Sequence, residues 1–221
     1  MVMPGIADYT GAEFEQRLGR FRRSYVTDWD ARVRVVEEGR SVESELGRIL
    51  RGWQACRPNT MRRTRDEHQH APPFLEDLTA QASPHVLALS SFDVASPSCY
   101  TAEARRALNG LWNVFVELSY RGIARDGKAG IVGISKASLL LTMGRVGPAF
   151  DSLVRSRTGV GNVLDAEHWI EALSWVTRDI VRFTRANGCT LQEAAPSQFR
   201  HLASGRLYDM ALGPGTEDEQ S

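Results

Sequence analysis

The sequence predicts an all-α protein, a compact bundle of about eight to ten helices. Apolar residues recur at helical spacing along most of the chain, and residues typical of helix N-caps precede several of these runs. No alternation of apolar and polar residues is long enough for a sheet. Because the chain has 221 residues, 42% of them hydrophobic, it can build one sizeable core, and we expect a single helical domain over residues 1–212.

The first predicted helix begins at Thr10, which forms a capping box with Glu13. Its apolar positions recur on one face as Phe14, Leu18, Phe21 and Tyr25. A second helix is expected to begin at Ser41. Residues 57–73 hold three prolines and few apolar side chains, which predicts a polar loop before a short helix over residues 74–82.

The second half of the chain is expected to hold the longer helices. Residues 83–100 are ambiguous between a short strand and a helical turn, and a long helix follows from Thr101 with a stop near Gly122. A very apolar helix is predicted over residues 135–143, and Asp165 begins a long amphipathic helix. The remaining predictions are helices over residues 150–157, after Thr190 and over residues 196–210, and a disordered acidic tail over residues 213–221.

Charge and cysteine content exclude several classes of protein. The chain has 27 basic and 27 acidic residues, which argues against a generic nucleic-acid coat protein but permits a local binding patch. The three cysteines form no CxxC pair, so we expect reduced thiols and neither a disulfide framework nor a zinc ribbon. No secretory leader or membrane-spanning apolar run is visible, which predicts a cytoplasmic protein without a membrane partner.

One segment carries the strongest functional signal. Residues 130–134 form a small-residue turn that leads into the apolar helix, and Lys136 lies at the start of that helix. Backbone N–H groups at a helix start bind phosphate, helped by the helix dipole and by a nearby lysine. Fifteen residues after Lys136, Asp151 follows a Gly-Pro break, where a carboxylate can be exposed at the end of an element.

This layout resembles the helix-hairpin-helix DNA glycosylase superfamily, over residues 129–158. Members carry a Gly-hydrophobic-Gly hairpin, a following helix and then a catalytic aspartate. The resemblance implies that residues 133–135 form the hairpin, with Ser135 in place of its second glycine. It also implies that Asp151 is the catalytic carboxylate and that Lys136 lies near the position of a Schiff-base lysine. A DNA-repair hydrolase or lyase without a cofactor is therefore expected.

The same resemblance implies a mechanism in which a base is flipped out of the DNA duplex. Asp151 would stabilise an oxocarbenium-like sugar or activate water, and Lys136, as a neutral amine, would attack the sugar carbon. The pKa of Lys136 would have to be lowered by burial or by nearby Arg145. Contacts to the phosphates would come from the hairpin and the neighbouring arginines: Gly133, Ser135, Arg145, Arg155 and Arg157.

Two further segments hold candidate residues. A second Gly-Val-Gly turn over residues 159–161 is followed by Asp179 in mid-helix, a poorer catalytic position, and a simple loop with an N-cap is the favoured interpretation. The loop after the second helix carries a basic cluster that could clamp phosphates: Arg57, Arg62, Arg63 and Arg65. Asp66, His68 and His70 follow, but so close a spacing specifies no metal, and none is assigned.

The sequence leaves two classes of function open. The first is a DNA-binding, glycosylase-like helical protein. The second is a non-enzymatic interaction module, such as a defence or toxin–antitoxin component, that binds a protein partner through apolar helix faces and the arginine-rich loop. Convergence of the basic residues on one face around Asp151 favours the first class, whereas scattering argues against it. No motif supports a small-molecule enzyme with a helical pocket.

Overall fold

The computed structural model describes residues 5–38, 42–56, 60–67, 72–120, 127–161 and 163–213. Over these ranges it contains ten α-helices and no strand, and the prediction of an all-α fold is confirmed. The helices are α1 (Gly11–Gly19), α2 (Arg23–Glu37), α3 (Val42–Gly52), α4 (Leu75–Ala88), α5 (Ala102–Phe115), α6 (Ile131–Leu141), α7 (Ser152–Thr158), α8 (Ala166–Asn187), α9 (Leu191–Ala194) and α10 (Ser204–Leu212).

The N-cap signals of the sequence are confirmed. The Thr10 hydroxyl accepts the Glu13 N–H at 3.2 Å, and the Glu13 carboxylate accepts the Thr10 N–H at 2.7 Å. The same capping box begins α9 at Thr190, and the Asp165 side chain caps α8. These caps depend on residues three positions apart, so the local sequence is sufficient to predict them.

The predicted continuation of the first helix to Tyr25 is wrong. After α1 ends at Gly19, the Phe21 N–H donates to the Leu18 carbonyl at 3.0 Å, and this tighter turn separates α1 from α2. α1 packs against α9 and α10, so the first and last helices of the described chain meet. The Phe14 and Phe183 rings lie 5.0 Å apart in this contact region.

The segment predicted as a polar loop is fixed to the end of α5 over residues 60–67. Met61 is buried and forms an isolated antiparallel bridge with Ser119, and the Arg62 N–H donates to the Leu118 carbonyl at 2.8 Å. The sequence does not reveal this attachment, because the partner of the segment lies more than 50 residues further along the chain. The predictions for Arg57, His68, His70 and residues 214–221 lie outside the described residues.

The ends of α4 and α5 also differ from the predictions. α4 continues through Pro84 to Ala88, so the ambiguous stretch is helical there. α5 begins after the N-cap Thr101 as expected, but it ends at Phe115, and a 3-10 turn over residues 116–118 follows. The predicted stop at Gly122 lies outside the described ranges.

α6 is the central helix of the fold. It packs against α2, α3 and α5, and nine of its eleven residues are buried. The other two, Val132 and Lys136, are partly exposed and lie four residues apart, on one helical face. The fold therefore leaves one stripe of its central helix open to solvent, and this stripe carries a lysine.

Candidate functional site

The segment around Gly133 is helical and does not form the predicted hairpin. α6 begins at Ile131 instead of Ser135, with Gly130 as its N-cap, and the Ile134 N–H donates to the Gly130 carbonyl at 3.2 Å. Gly133 and Ser135 therefore lie in the first turns of the helix. The sequence offers two glycines at which the helix could start, and the first of them is used.

Gly133 and Ser135 serve packing and do not face a ligand. A Cβ atom on Gly133 would lie 2.9 Å from Cys56 Sγ and 3.1 Å from the Ala55 carbonyl oxygen, so glycine permits α6 to approach the turn after α3. Ser135 is buried, and its hydroxyl accepts the Phe150 N–H at 2.9 Å. The expectation that these two residues hold a phosphate is corrected, because both are buried against the protein.

Asp151 begins α7 at the edge of the same region. Its Oδ1 accepts the Val154 N–H at 2.9 Å, which is an ordinary N-cap contact, and the side chain is partly exposed. The preceding Phe150 is fully buried and is fixed to α6 by the bond to Ser135. The packing of Phe150 thus fixes the position of the backbone at Asp151.

Lys136 lies near enough to this carboxylate to be affected by its charge, but the two side chains, both within the described ranges, form no ion pair. The Lys136 Nζ donates to the Trp53 carbonyl oxygen at 2.5 Å. Burial lowers the pKa of the Lys136 ammonium below its usual value, and the Asp151 and Asp209 carboxylates oppose this shift. The structure therefore places Lys136 and Asp151 in the same region, and burial favours the neutral form of the lysine.

Asp209 and Arg206, both on α10, belong to the same cluster. Arg206 Nη1 lies 2.5 Å from Asp209 Oδ2, and the Ala149 N–H donates to Asp209 Oδ1 at 3.2 Å. Burial raises the pKa of Asp209 to about 6. The Arg206 guanidinium carbon lies 4.6, 4.8 and 5.9 Å from the ring centroids of Trp29, Tyr25 and Trp53, respectively.

The sequence analysis missed this pair of residues. One local signal was available, because an arginine and an aspartate three positions apart lie on a helix that is otherwise apolar and buried. A buried charge is rare unless it is paired or functional. That Asp209 lies near Lys136, more than 70 residues away in the chain, could not be deduced from the spacing.

Three predicted arginines lie on the elements around this cluster. Arg145 lines a cavity of about 500 Å³ together with Trp29 and His201, so this cavity shares Trp29 with the aromatic group around Arg206. Arg157 donates to the carbonyl oxygens of Leu212 at 2.7 Å and Gly213 at 3.3 Å, which satisfies the end of α10. Arg155 is partly exposed on α7, one turn after Asp151.

The arginines of the residue 60–67 segment make other contacts. Arg62 Nε donates to the Glu117 carbonyl oxygen at 3.1 Å, and Arg65 forms an ion pair with Asp77 on α4. Arg63 is partly exposed. The contacts of Arg62 with Glu117 and of Arg65 with α4 lie outside the Lys136 cluster.

Asp179 is a structural residue. Its buried carboxylate accepts the Ile6 N–H at 2.7 Å, the Ala7 N–H at 3.2 Å and the Tyr208 hydroxyl at 2.9 Å. Asp179 therefore fixes the N-terminal segment to α8 and α10. The turn at residues 159–161 ends α7 through Gly159 in a left-handed conformation, as the simpler interpretation of that motif expected.

Comparison with protein-family models, with curated proteins and with solved structures finds no match to this chain. Among the residues that the structure describes, no group of three or more metal-ligating side chains comes together. Within the same residues, none of the helices combines the length and the apolar character needed to cross a lipid bilayer.

Proposed function

We propose that Lys136 and Asp151 form the active site of a DNA glycosylase-like enzyme that removes a base from nucleic acid. The observation that carries the proposal is the position of Lys136, a partly buried lysine near the Asp151 and Asp209 carboxylates. A surface lysine is protonated at neutral pH and is a poor nucleophile. Because burial lowers the pKa of Lys136, a larger fraction of its amine is neutral and able to attack.

The chemistry assigns one role to each group. The neutral Lys136 amine forms a bond to C1′ of the sugar while the bond between C1′ and the base breaks, and the electron pair leaves with the base. The proton that the amine gives up passes through the Asp151 carboxylate to the departing base. Asp151 also stabilises the positive charge that develops on the sugar in the transition state.

Covalent trapping tests the role of Lys136. An abasic-site oligonucleotide presents an aldehyde at C1′, with which an amine condenses to an imine and releases water, and borohydride reduces this imine to a stable amine. The wild type is expected to form the cross-link, and Lys136→Ala is expected to abolish it. Lys128 is the other lysine of the chain and forms an ion pair with Glu117, so Lys128→Ala is the matched control.

The pH profile of trapping gives a second criterion. Because the pKa of Lys136 is lowered, the rate should rise with pH and level off below about 10.4, the usual lysine pKa. A profile that still rises at that pH contradicts the proposal. Equal cross-linking by Lys136→Ala and the wild type, or the absence of any cross-link with the wild type, also overturns it.

A pair of aspartate variants tests Asp151. Asp151 and Asp165 both cap a helix through Oδ1 at 2.9 Å from the N–H three residues later, so Asp165→Asn reproduces the loss of charge at a cap. Asp151→Asn is expected to lower single-turnover base excision by about 10²–10⁴-fold, the usual contribution of a positioned acid or base, without weakening binding. Asp165→Asn should stay within about twofold of the wild type. Equal excision by both variants removes Asp151 from the mechanism.

A further inference from the structure

A groove on the solvent side of α8 is lined by four arginines. Its volume is about 520 Å³, and it lies between α8 and the segment that leads into α5. Arg178, Arg182 and Arg185 come from α8 and Arg105 from α5, while Tyr100 and Thr177 contribute hydroxyl groups. We call this the α8 groove. It is lined by none of the residues assigned to the Lys136 site.

The positive charge of the α8 groove is balanced only in part by the described residues. None of the described lining residues is acidic. Arg182 Nη2 lies 4.0 Å from Asp8 Oδ1, at the limit of an ion pair, and the charge of Arg182 also acts to lower the pKa of the buried Asp179 carboxyl. No carboxylate within the described ranges pairs with the other three arginines. A chain without net charge thus concentrates four guanidinium groups in one place.

Helix stability does not account for this arrangement. A cation stabilises a helix through the dipole only within the last turn, where Arg185 lies. Arg178 and Arg182 are four residues apart, and like charges at this spacing destabilise a helix. A bound anion removes this repulsion.

The floor of the groove combines an aromatic ring with an apolar surface. The Tyr100 hydroxyl donates to Thr177 Oγ1 at 2.8 Å, because the Thr177 hydroxyl itself donates to the Leu173 carbonyl. The Arg105 guanidinium carbon lies 5.8 Å from the centroid of the Tyr100 ring, and Val181 supplies the apolar part of the lining. Guanidinium donors beside an aromatic ring suit a phosphate that is attached to an organic group.

The shape of the groove indicates an extended ligand. Its lining residues run along α8 from Ser174 to Arg185, which corresponds to about 16 Å of helix. A second groove of about 320 Å³ shares Val181 and Arg185 and extends the channel towards α9. The length of the first groove therefore suits a chain of several phosphates better than a single phosphate.

We propose that the α8 groove binds the phosphodiester backbone of a nucleic-acid strand through Arg105, Arg178, Arg182 and Arg185. The positive charge of the groove is observed independently of the Lys136 site. The choice of nucleic acid as the ligand of the groove rests on the proposed function. The α8 arginines would hold the strand, and the Lys136 site would act on it.

Fluorescence anisotropy with a labelled single-stranded oligonucleotide, over a salt series, tests this proposal. Removing two phosphate contacts lowers the slope of log K against log salt by about 1.4, which at 0.1 M salt corresponds to on the order of 25-fold weaker binding. We expect this loss from the double variant Arg178→Gln/Arg182→Gln. Its matched control is Arg23→Gln/Arg106→Gln, which removes two exposed arginines outside the groove and should leave the slope unchanged.

The arms of the experiment separate the possible outcomes. Equal losses from the two double variants, or an unchanged salt slope, overturn the proposal. Tripolyphosphate that displaces the labelled strand as well as an unlabelled strand does, at equal phosphate concentration, also overturns it, because the site then shows no preference for a strand over a small polyphosphate. If strand binding depends on the groove but no imine is trapped, the proposed catalysis fails and the groove assignment stands.

Discussion

Replacing Asp179 tests how its carboxylate holds the N-terminal segment. Burial raises the pKa of Asp179 above its usual value, although the donors from Ile6, Ala7 and Tyr208 oppose the shift. Both carboxylate oxygens are used, since Oδ2 accepts from Ile6 and Tyr208 and Oδ1 accepts from Ala7. We therefore expect Asp179→Ala to be strongly destabilising and Asp179→Asn to be less so.

The loss of stability in Asp179→Ala depends on whether the N-terminal segment stays docked or detaches. If the segment stays docked, three buried donors lose their acceptor at about 1–3 kcal/mol each. If the segment detaches, its N–H groups reach water, but Ile6 becomes exposed at about 1.5–3 kcal/mol. The Tyr208 hydroxyl then stays unpaired at about 1–3 kcal/mol. The second route is the less costly, and the expected loss is about 3–5 kcal/mol.

Asparagine preserves most of this arrangement. Its amide oxygen can take the place of Oδ2, which accepts from Ile6 and Tyr208, but its amide NH2 then faces the Ala7 N–H. One donor therefore loses its acceptor, and the expected loss is about 1–3 kcal/mol. Urea unfolding of the wild type and both variants measures the difference. Asp165→Ala, which removes an exposed N-cap, should lose about 1 kcal/mol and shows the effect of removing an aspartate elsewhere on α8.

The contribution of Asp179 to the free energy of unfolding depends on pH, and the raised pKa gives the direction of this dependence. Since the folded-state pKa of Asp179 lies above its unfolded value of about 3.9, the stability that this group contributes falls as pH rises between those two values. The advantage of the wild type over Asp179→Asn should therefore be greatest at low pH and smallest above the raised pKa. Equal losses for the two variants at pH 7, or a loss below about 1 kcal/mol for alanine, would refute this reasoning.

Three further predictions concern the surroundings of Lys136. Ser135→Ala leaves the buried Phe150 N–H without its acceptor and should lose about 1–3 kcal/mol in urea unfolding, whereas Ser156→Ala on the exposed face of α7 should change stability by less than about 0.5 kcal/mol. Gly133→Ala should lower the unfolding free energy by roughly 1 kcal/mol, since crowding against Cys56 outweighs the gain in helix propensity, and a more stable variant contradicts this packing role. Burial raises the pKa of Cys56 to about 11, so its alkylation by iodoacetamide at pH 8 should be about 100-fold slower in the folded than in the urea-unfolded protein, and mass spectrometry that finds equal rates contradicts this.

The sequence predicts those features whose causes are local. The capping boxes at Thr10 and Thr190 depend on side chains within one helical turn, and both were predicted correctly. The start of α6 was predicted at residue 135, whereas the helix begins at Ile131, so that Gly133 lies inside it against Cys56. Local propensity does not contain this tertiary contact.

The candidate site likewise combines residues that local sequence indicates with residues that only tertiary packing brings together. A lysine and an aspartate separated by a Gly-Pro break could be singled out from the sequence, since each lies at or just before the start of a predicted helix. The part of the site that comes from α10 could not, because Asp209 reaches Lys136 only through the packing of α7 and α10. The α8 arginines did carry a sequence signal, at positions 178, 182 and 185 of one helical face.

The contact between Ile6 and Asp179 also has a consequence for the order of folding. It joins residues 173 positions apart, and the hydroxyl that completes it belongs to Tyr208. During translation, α1 emerges long before α8, α9 and α10, which cover its apolar face. The N-terminal helix can therefore complete its packing only after the C-terminal helices are made, and its apolar residues stay open to chaperones until then.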